Sequence, residues 1–187
     1  MSPIIESEKG EREAILDAAK LMLIAARTAP KTAGVDDIVA SIVYGEDKNL
    51  ITNEMDKIAE DRKSEGFRRD ARNVRDSEAV VLIGVRGTKD IGLNCAACGY
   101  KNCQEFNKAE KKLGTDFVGP NCIFKALDLG IALGSAAKTA GTLNVDNRIM
   151  YRVGTAAVKL NLLPEATVIM GVPISAEGKS IYFDRSK

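Results

Sequence analysis

Histidine is absent from the 187 residues, and so is tryptophan. Without histidine there is no Ser-His-Asp or Cys-His catalysis, no mixed Cys/His zinc site and no ordinary general acid/base near neutral pH. Aromatic residues make up only 5% of the chain, too few to suggest a stacking platform for single-stranded nucleic acid. No run of eighteen apolar residues exists, and Met1–Glu6 has neither the basic nor the apolar region of a secretory signal. A formal net charge of +1 supplies no global field toward nucleic acid or an acidic membrane. These absences predict a cytoplasmic protein with neither nucleic-acid nor membrane partners. A reducing compartment keeps thiols free, so the cysteines are read as metal ligands before disulfides.

The four cysteines fall within twenty-eight residues: Cys95, Cys98, Cys103 and Cys122, spaced C-x2-C-x4-C and then eighteen residues to the last. A cubane needs four thiolates at tetrahedral corners, and a tight loop giving three with a distant fourth is a common solution. Ala96, Ala97 and Gly99 allow backbone N–H groups to turn toward the sulfides, and Lys101, Lys108 and Lys125 are candidates for long-range charge compensation. The same ligands also suit zinc, and free or redox-switching thiols are a third reading; zinc ribbons, however, usually carry two C-x-x-C knuckles. The spacing differs from the ferredoxin runs C-x2-C-x2-C-x3-C-P and C-x4-C-x2-C.

Around the cysteines the periodicity predicts an amphipathic helix over 8–26, a loop over 29–34, a strand over 38–44 and a second helix marked by Ile51, Met55, Ile58 and Ala59. Arg68, Arg69, Arg72 and Arg75 share a helical face, and 79–85 (AVVLIGV) reads as a central strand covered on both sides. Segment 90–122 looks inserted, with a short charged helix over 104–113. The stretch 123–139 is apolar nearly all round, which predicts a buried central helix with close approach at Gly130 and Gly134. A helix from about Asp146, a strand over 166–171 and an extended piece around Ile181–Phe183 complete one domain over 1–187.

The segment CGYKNCQEF, with Cys95 and Cys122, resembles the small iron–sulfur domain of C-x2-C-G-x3-C type in electron-transfer subunits and corrinoid proteins, which implies a 4Fe–4S cluster on all four cysteines. Through AARTAPKTAG, NCAACGYKNC, GPNCIFKALDLGIALGSAAKTA and NVDNRIMYRVG the whole chain resembles a family of uncharacterised prokaryotic proteins containing a ferredoxin domain. Residues 25–32 after an amphipathic helix, the 79–85 strand, 129–132 and 163–173 are also similar to nitroreductase-like flavoproteins. That second resemblance implies an α+β fold, a central antiparallel-rich sheet wrapped by helices, and a homodimer with FMN at the subunit interface. Two flavin motifs of that family have no counterpart. Its early Arg-x-Ser would fall at Met1–Pro3, and its Ser-x-x-Asn-x-Gln-Pro is replaced by KTAGVD at 31–36. Arg72 and Lys179 stand at positions suited to anion contact, although a solvated helix face and a loop lysine are the ordinary readings of these residues. The expected function is an iron–sulfur redox protein, an electron-transfer or oxidoreductase component. The alternatives are a binding module stapled by zinc or a cluster, and a redox sensor.

Overall fold

The computed structural model describes residues 4–183; the Met1–Pro3 position of the missing flavin motif lies outside them. Helix α1 (Ser7–Thr28) buries Ile15, Ala18, Ala19, Met22 and Ala26, the stripe its spacing predicts, and stops before Pro30. Strand β1 (Ile38–Tyr44) comes next, then α2 (Lys48–Asp61), α3 (Glu65–Asp76) and β2 (Ala79–Val85), which is buried at every position. Four short elements come after β2: α4 (Cys103–Lys108), β3 (Lys112–Leu113), β4 (Val118–Gly119) and, beyond the long helix α5 (Ile123–Thr142), β5 (Asp146–Asn147). Helix α6 (Tyr151–Lys159) and strand β6 (Val168–Ser175) close the order.

The main sheet runs β1-β2-β6-β5, antiparallel throughout. Because pleat alternation sends Ala79, Val81, Ile83 and Val85 to one face and Val80 and Leu82 to the other, β2 must be apolar on both. The first face packs under α1 and α5, the second under α2, α3 and α6. Helix α6 lies directly on β6: a Cβ at Gly154 would stand 1.7 Å from the Ile169 carbonyl oxygen, so only glycine permits that approach.

Several expectations are corrected. The charged helix ends at Lys108, where Ala109 turns extended, and Lys112–Leu113 pairs with Val118–Gly119 as a hairpin. Asp146 starts an edge strand against β6, and the helix begins only at Tyr151. Strand β6 runs on through Pro173. The Gly171 N–H faces Met150, so by alternation the Pro173 nitrogen faces the same side, where the β5 ladder is interrupted and no donor is required. Ile181–Phe183 form a turn rather than an extended piece. Helix α5 is buried on one face only: Leu127 is 52% and Ile131 46% exposed, and Gly130 and Gly134 face open space. No helix among the described residues is long and apolar enough to cross a membrane.

Candidate functional site

The cysteine segment leaves β2 at its Val85 end and returns as α5. Cys122 is the N-cap residue of α5, buried, with its N–H donating to the Gly87 carbonyl at 2.8 Å. Its neighbour Asn121 is held at both ends of its amide. Nδ2 donates to the Val118 carbonyl at 2.6 Å, and Oδ1 accepts from Thr167 Oγ1 at 2.5 Å. Thr167 Oγ1 in turn accepts from the Gly87 N–H at 2.9 Å. The fourth thiol therefore sits on a rigid base made by the sheet end.

The other three lie on the loop and at the start of α4. Cys95 is exposed, whereas Cys98 and Cys103 are half-buried; all four are free thiols. The backbone is left-handed at Gly92, Asn94, Ala96 and Gly99, which winds the loop tightly. Asn94 and Cys103 grip each other: the Asn94 N–H donates to Cys103 Sγ at 3.2 Å, and the Cys103 N–H to Asn94 Oδ1 at 3.1 Å. Asp90 braces the same corner through the Gly92 N–H and the Asn107 amide. Burial works against ionisation of its carboxyl, yet those bonds and a contact with Cys103 keep it below the usual range. Phe106 is buried beneath the loop, edge-on to Tyr100 at 5.7 Å, with the Lys111 ammonium 3.8 Å from its ring centre.

The β3–β4 hairpin is tied down by Asp116, which pairs with Arg62, the C-cap residue of α2, at 2.6 Å and accepts from the Tyr151 hydroxyl of α6. Among the described residues, no three His, Cys, Asp or Glu side chains are gathered within reach of one metal ion. The loop thus brings Cys103 under an N–H donor and fixes Cys122 at the sheet end, without drawing the thiols onto a common point.

The predicted charge partners separate. Lys101 and Lys108 are exposed, but Lys125 is 2% exposed and ion-paired with Asp37. Asp128, one turn on, is also buried and accepts from the Thr32 N–H at 3.0 Å and from Thr32 Oγ1 at 2.8 Å. Of the arginine face, Arg68, Arg69 and Arg75 pair with Glu65, Asp70 and Asp56, while Arg72 is exposed. Lys179 is exposed in the loop after β6. Sequence reasoning missed Gly87, Asn94, Asn121 and Thr167. Asn94 and Asn121, each immediately before a cysteine, were the available signal.

Residues 118–185 match the model of a family described as uncharacterized proteins containing a ferredoxin domain. An uncharacterized protein of Archaeoglobus fulgidus is 49% identical over 183 residues, 98% of each chain. The chain belongs to this ferredoxin-domain family. Of the four cysteines, the family match spans Cys122 alone. Among solved structures, a nitroreductase-like family protein from Bacillus cereus superposes with a TM-score of 0.55 at 10% identity, over all of this chain and 81% of that one. An FMN-dependent nitroreductase from Clostridium difficile gives 0.53 at 13%, over 87% and 76%. The NADPH:FMN oxidoreductase of Vibrio harveyi, complexed with NAD+, gives 0.54 at 12%, over 88% and 60%. At these identities the likeness is one of fold, and this member of the ferredoxin-domain family has the nitroreductase-like α+β architecture.

Proposed function

We propose that the protein is an iron–sulfur redox protein, an electron-transfer or oxidoreductase component in which Cys95, Cys98, Cys103 and Cys122 hold one 4Fe–4S cluster. The observation that carries this reading is the Asn94 N–H on Cys103 Sγ within a left-handed loop. A backbone donor to sulfur offsets the negative charge of an all-thiolate cluster, and such donors help set its potential. The donor set fits in kind: four free thiols, no competing histidine, and a family described by its ferredoxin domain. Loading requires the exposed stretch 92–97 to close toward the fixed Cys122. Bound there, the cluster would supply electrons singly, which is chemistry that needs distance and potential more than acid/base residues.

FMN is the second candidate cofactor, on the strength of the fold neighbours, with Arg72 and Lys179 as candidate anion contacts. A homodimer accompanies it. Ile123, Leu127 and Ile131 line the open face of α5, beside Gly130 and Gly134, and Leu21 and Ile24 are exposed on the neighbouring α1. Covering that apolar face with a second copy would remove it from water.

A zinc-stapled binding module is the competing reading. It is favoured by the way Asp116 braces the segment onto α2 and α6. Anaerobic reconstitution followed by iron, sulfide and zinc analysis, with acid extraction for flavin fluorescence, separates the two. The redox reading expects a broad visible absorbance that bleaches with dithionite, and Cys98→Ser should lose iron while keeping its helicity. Colourless protein with stoichiometric zinc would end it.

A further inference from the structure

The loop that carries three of the thiols has a charged residue built into its floor. Asn102 caps α4, its Oδ1 accepting from the Glu105 N–H at 2.9 Å, so the helix starts on Cys103 and Phe106 stands one turn further along the same face. Phe106 is 1% exposed, and its ring meets that of Tyr100, which lies in the loop between Cys98 and Cys103, in an edge-to-face pair. After Lys108 the backbone turns extended at Ala109, and the returning chain lays the Lys111 ammonium 3.8 Å from the centre of the Phe106 ring. The same ammonium donates to the Phe106 carbonyl.

Lys111 is thus anchored twice to one residue, by its ring and by its carbonyl. The other lysines considered for charge compensation are placed differently. Lys101 and Lys108 are exposed, where water and salt screen a charge, and Lys125 is ion-paired with Asp37. Lys111 is half-buried, and among the described residues no carboxylate pairs with it. Partial burial pulls its pKa below the usual lysine value, and the pull in the other direction comes from the charge of Cys98. A partly desolvated ammonium needs a negative neighbour, and here that neighbour is a thiol.

We propose that Lys111 is the fixed cation of the iron–sulfur site, a residue that ligates nothing but sets how readily the site accepts an electron. This rests on the reading that the four cysteines hold a cluster. Reduction brings in one electron, supplied by dithionite in a titration; no bond is made and no proton moves, so the whole change is one added negative charge. A unit charge on the order of 10 Å from another, at an effective dielectric of about 20, shifts an equilibrium roughly tenfold. For one electron that is about 59 mV. Lys111 therefore favours the reduced state, and Asp90, in contact with Cys103, opposes it.

The test is a potentiometric dithionite titration of the whole protein after anaerobic reconstitution, in wild type, Lys111→Gln, Lys111→Met and Lys111→Arg. Lys111→Gln keeps a donor for the Phe106 carbonyl and loses the charge, so a role confined to fastening the loop gives no shift. The two neutral variants lower the midpoint potential by about 59 mV, a tenfold change in the reduction equilibrium, while Lys111→Arg stays within about twofold of wild type. Lys108→Met, at the exposed end of α4, leaves the potential unmoved. Loss of iron from both neutral variants with retention in Lys111→Arg leads to the same assignment, because it too follows the charge. Neutral variants with the wild-type potential, or loss of iron from Lys111→Arg as well, would overturn the role given to Lys111 while the cluster stands in wild type. A wild-type protein that takes up no iron overturns the cluster reading, and this inference with it.

Discussion

Gly87→Ala tests whether the base under Cys122 is as rigid as its hydrogen bonds imply. A Cβ added at Gly87 would stand 1.9 Å from Asn121 Oδ1 and 2.7 Å from Thr167 Oγ1. A free amide would swing aside. This one is held at 2.5 Å by Thr167 and at 2.6 Å by the Val118 carbonyl, and moving it breaks at least one of those bonds. Overpacking costs about 1–3 kcal/mol and each lost hydrogen bond about 1 kcal/mol, for a loss of roughly 2–4 kcal/mol. In a chain of this size that lowers the unfolding midpoint by about 4–16 °C. Because the Gly87 carbonyl also receives the Cys122 N–H, the same substitution should reduce the iron retained per chain after anaerobic reconstitution. Circular dichroism melts of the apo protein give the first quantity and colorimetric iron the second. Removing the obstructing side chain, as Gly87→Ala with Asn121→Ala, should recover part of the midpoint, since the two changes share one clash. A Gly87→Ala protein melting within about 2 °C of the parent would refute the reasoning.

Lys125→Met leaves the Asp37 carboxylate without its buried partner and should cost about 3 kcal/mol in urea unfolding, partly recovered by Asp37→Asn, since breaking one side of a buried pair strands the other charge. Gly154→Ala drives a methyl into the Ile169 carbonyl and should fail to give a cooperative melt, whereas Gly130→Ala on the open face of α5 should raise the midpoint slightly. Burial works against ionisation of Asp116, but hydrogen bonds from Tyr151 and Arg62, with the Arg62 charge, hold its carboxyl below the usual range. Its folded-state pKa therefore lies below the unfolded one, so its contribution is complete above the ordinary carboxylate pKa and disappears as pH falls through the depressed value. The urea-midpoint gap between wild type and Asp116→Asn should accordingly close from about pH 4 downward.

What was legible in the sequence was what local chemistry decides. The β-branched runs at 38–44 and 79–85 become strands with those bounds, and the apolar stripe of α1 becomes its buried face. The failures share a cause: tertiary context supplied what the local signal lacked. Pro173 reads as a strand terminator, yet β6 continues through it because its nitrogen faces a gap in the ladder. Lys125 reads as a charge partner for the cysteines, yet it is buried against Asp37, and Asp128 one turn on is buried against Thr32. Around the cysteines, spacing pointed to the four thiols but not to the asparagine amides and the Thr167 hydroxyl that position them, since those contacts join residues up to eighty apart.

The same long-range contacts bear on where a flavin could lie in this chain. Residues 25–32, which carry part of the resemblance to flavoproteins, and Asp36 beyond them are engaged in internal bonds. The Lys31 ammonium caps the end of α1 through the Ala26 carbonyl at 3.0 Å and the Arg27 carbonyl. Arg27 pairs with Asp36 and donates to the Ile38 carbonyl at 2.7 Å, and Thr32 is bound to Asp128. A flavin seated on this stretch would compete with bonds that fasten α1 to β1 and α5, whereas the exposed α5 face and the cysteine loop can meet a partner with no such rearrangement. Both features lie at the end of the sheet where Ile38 pairs with Val85: internal bonds fasten its β1 side, and the segment leaving β2 keeps its thiol-bearing loop open to solvent.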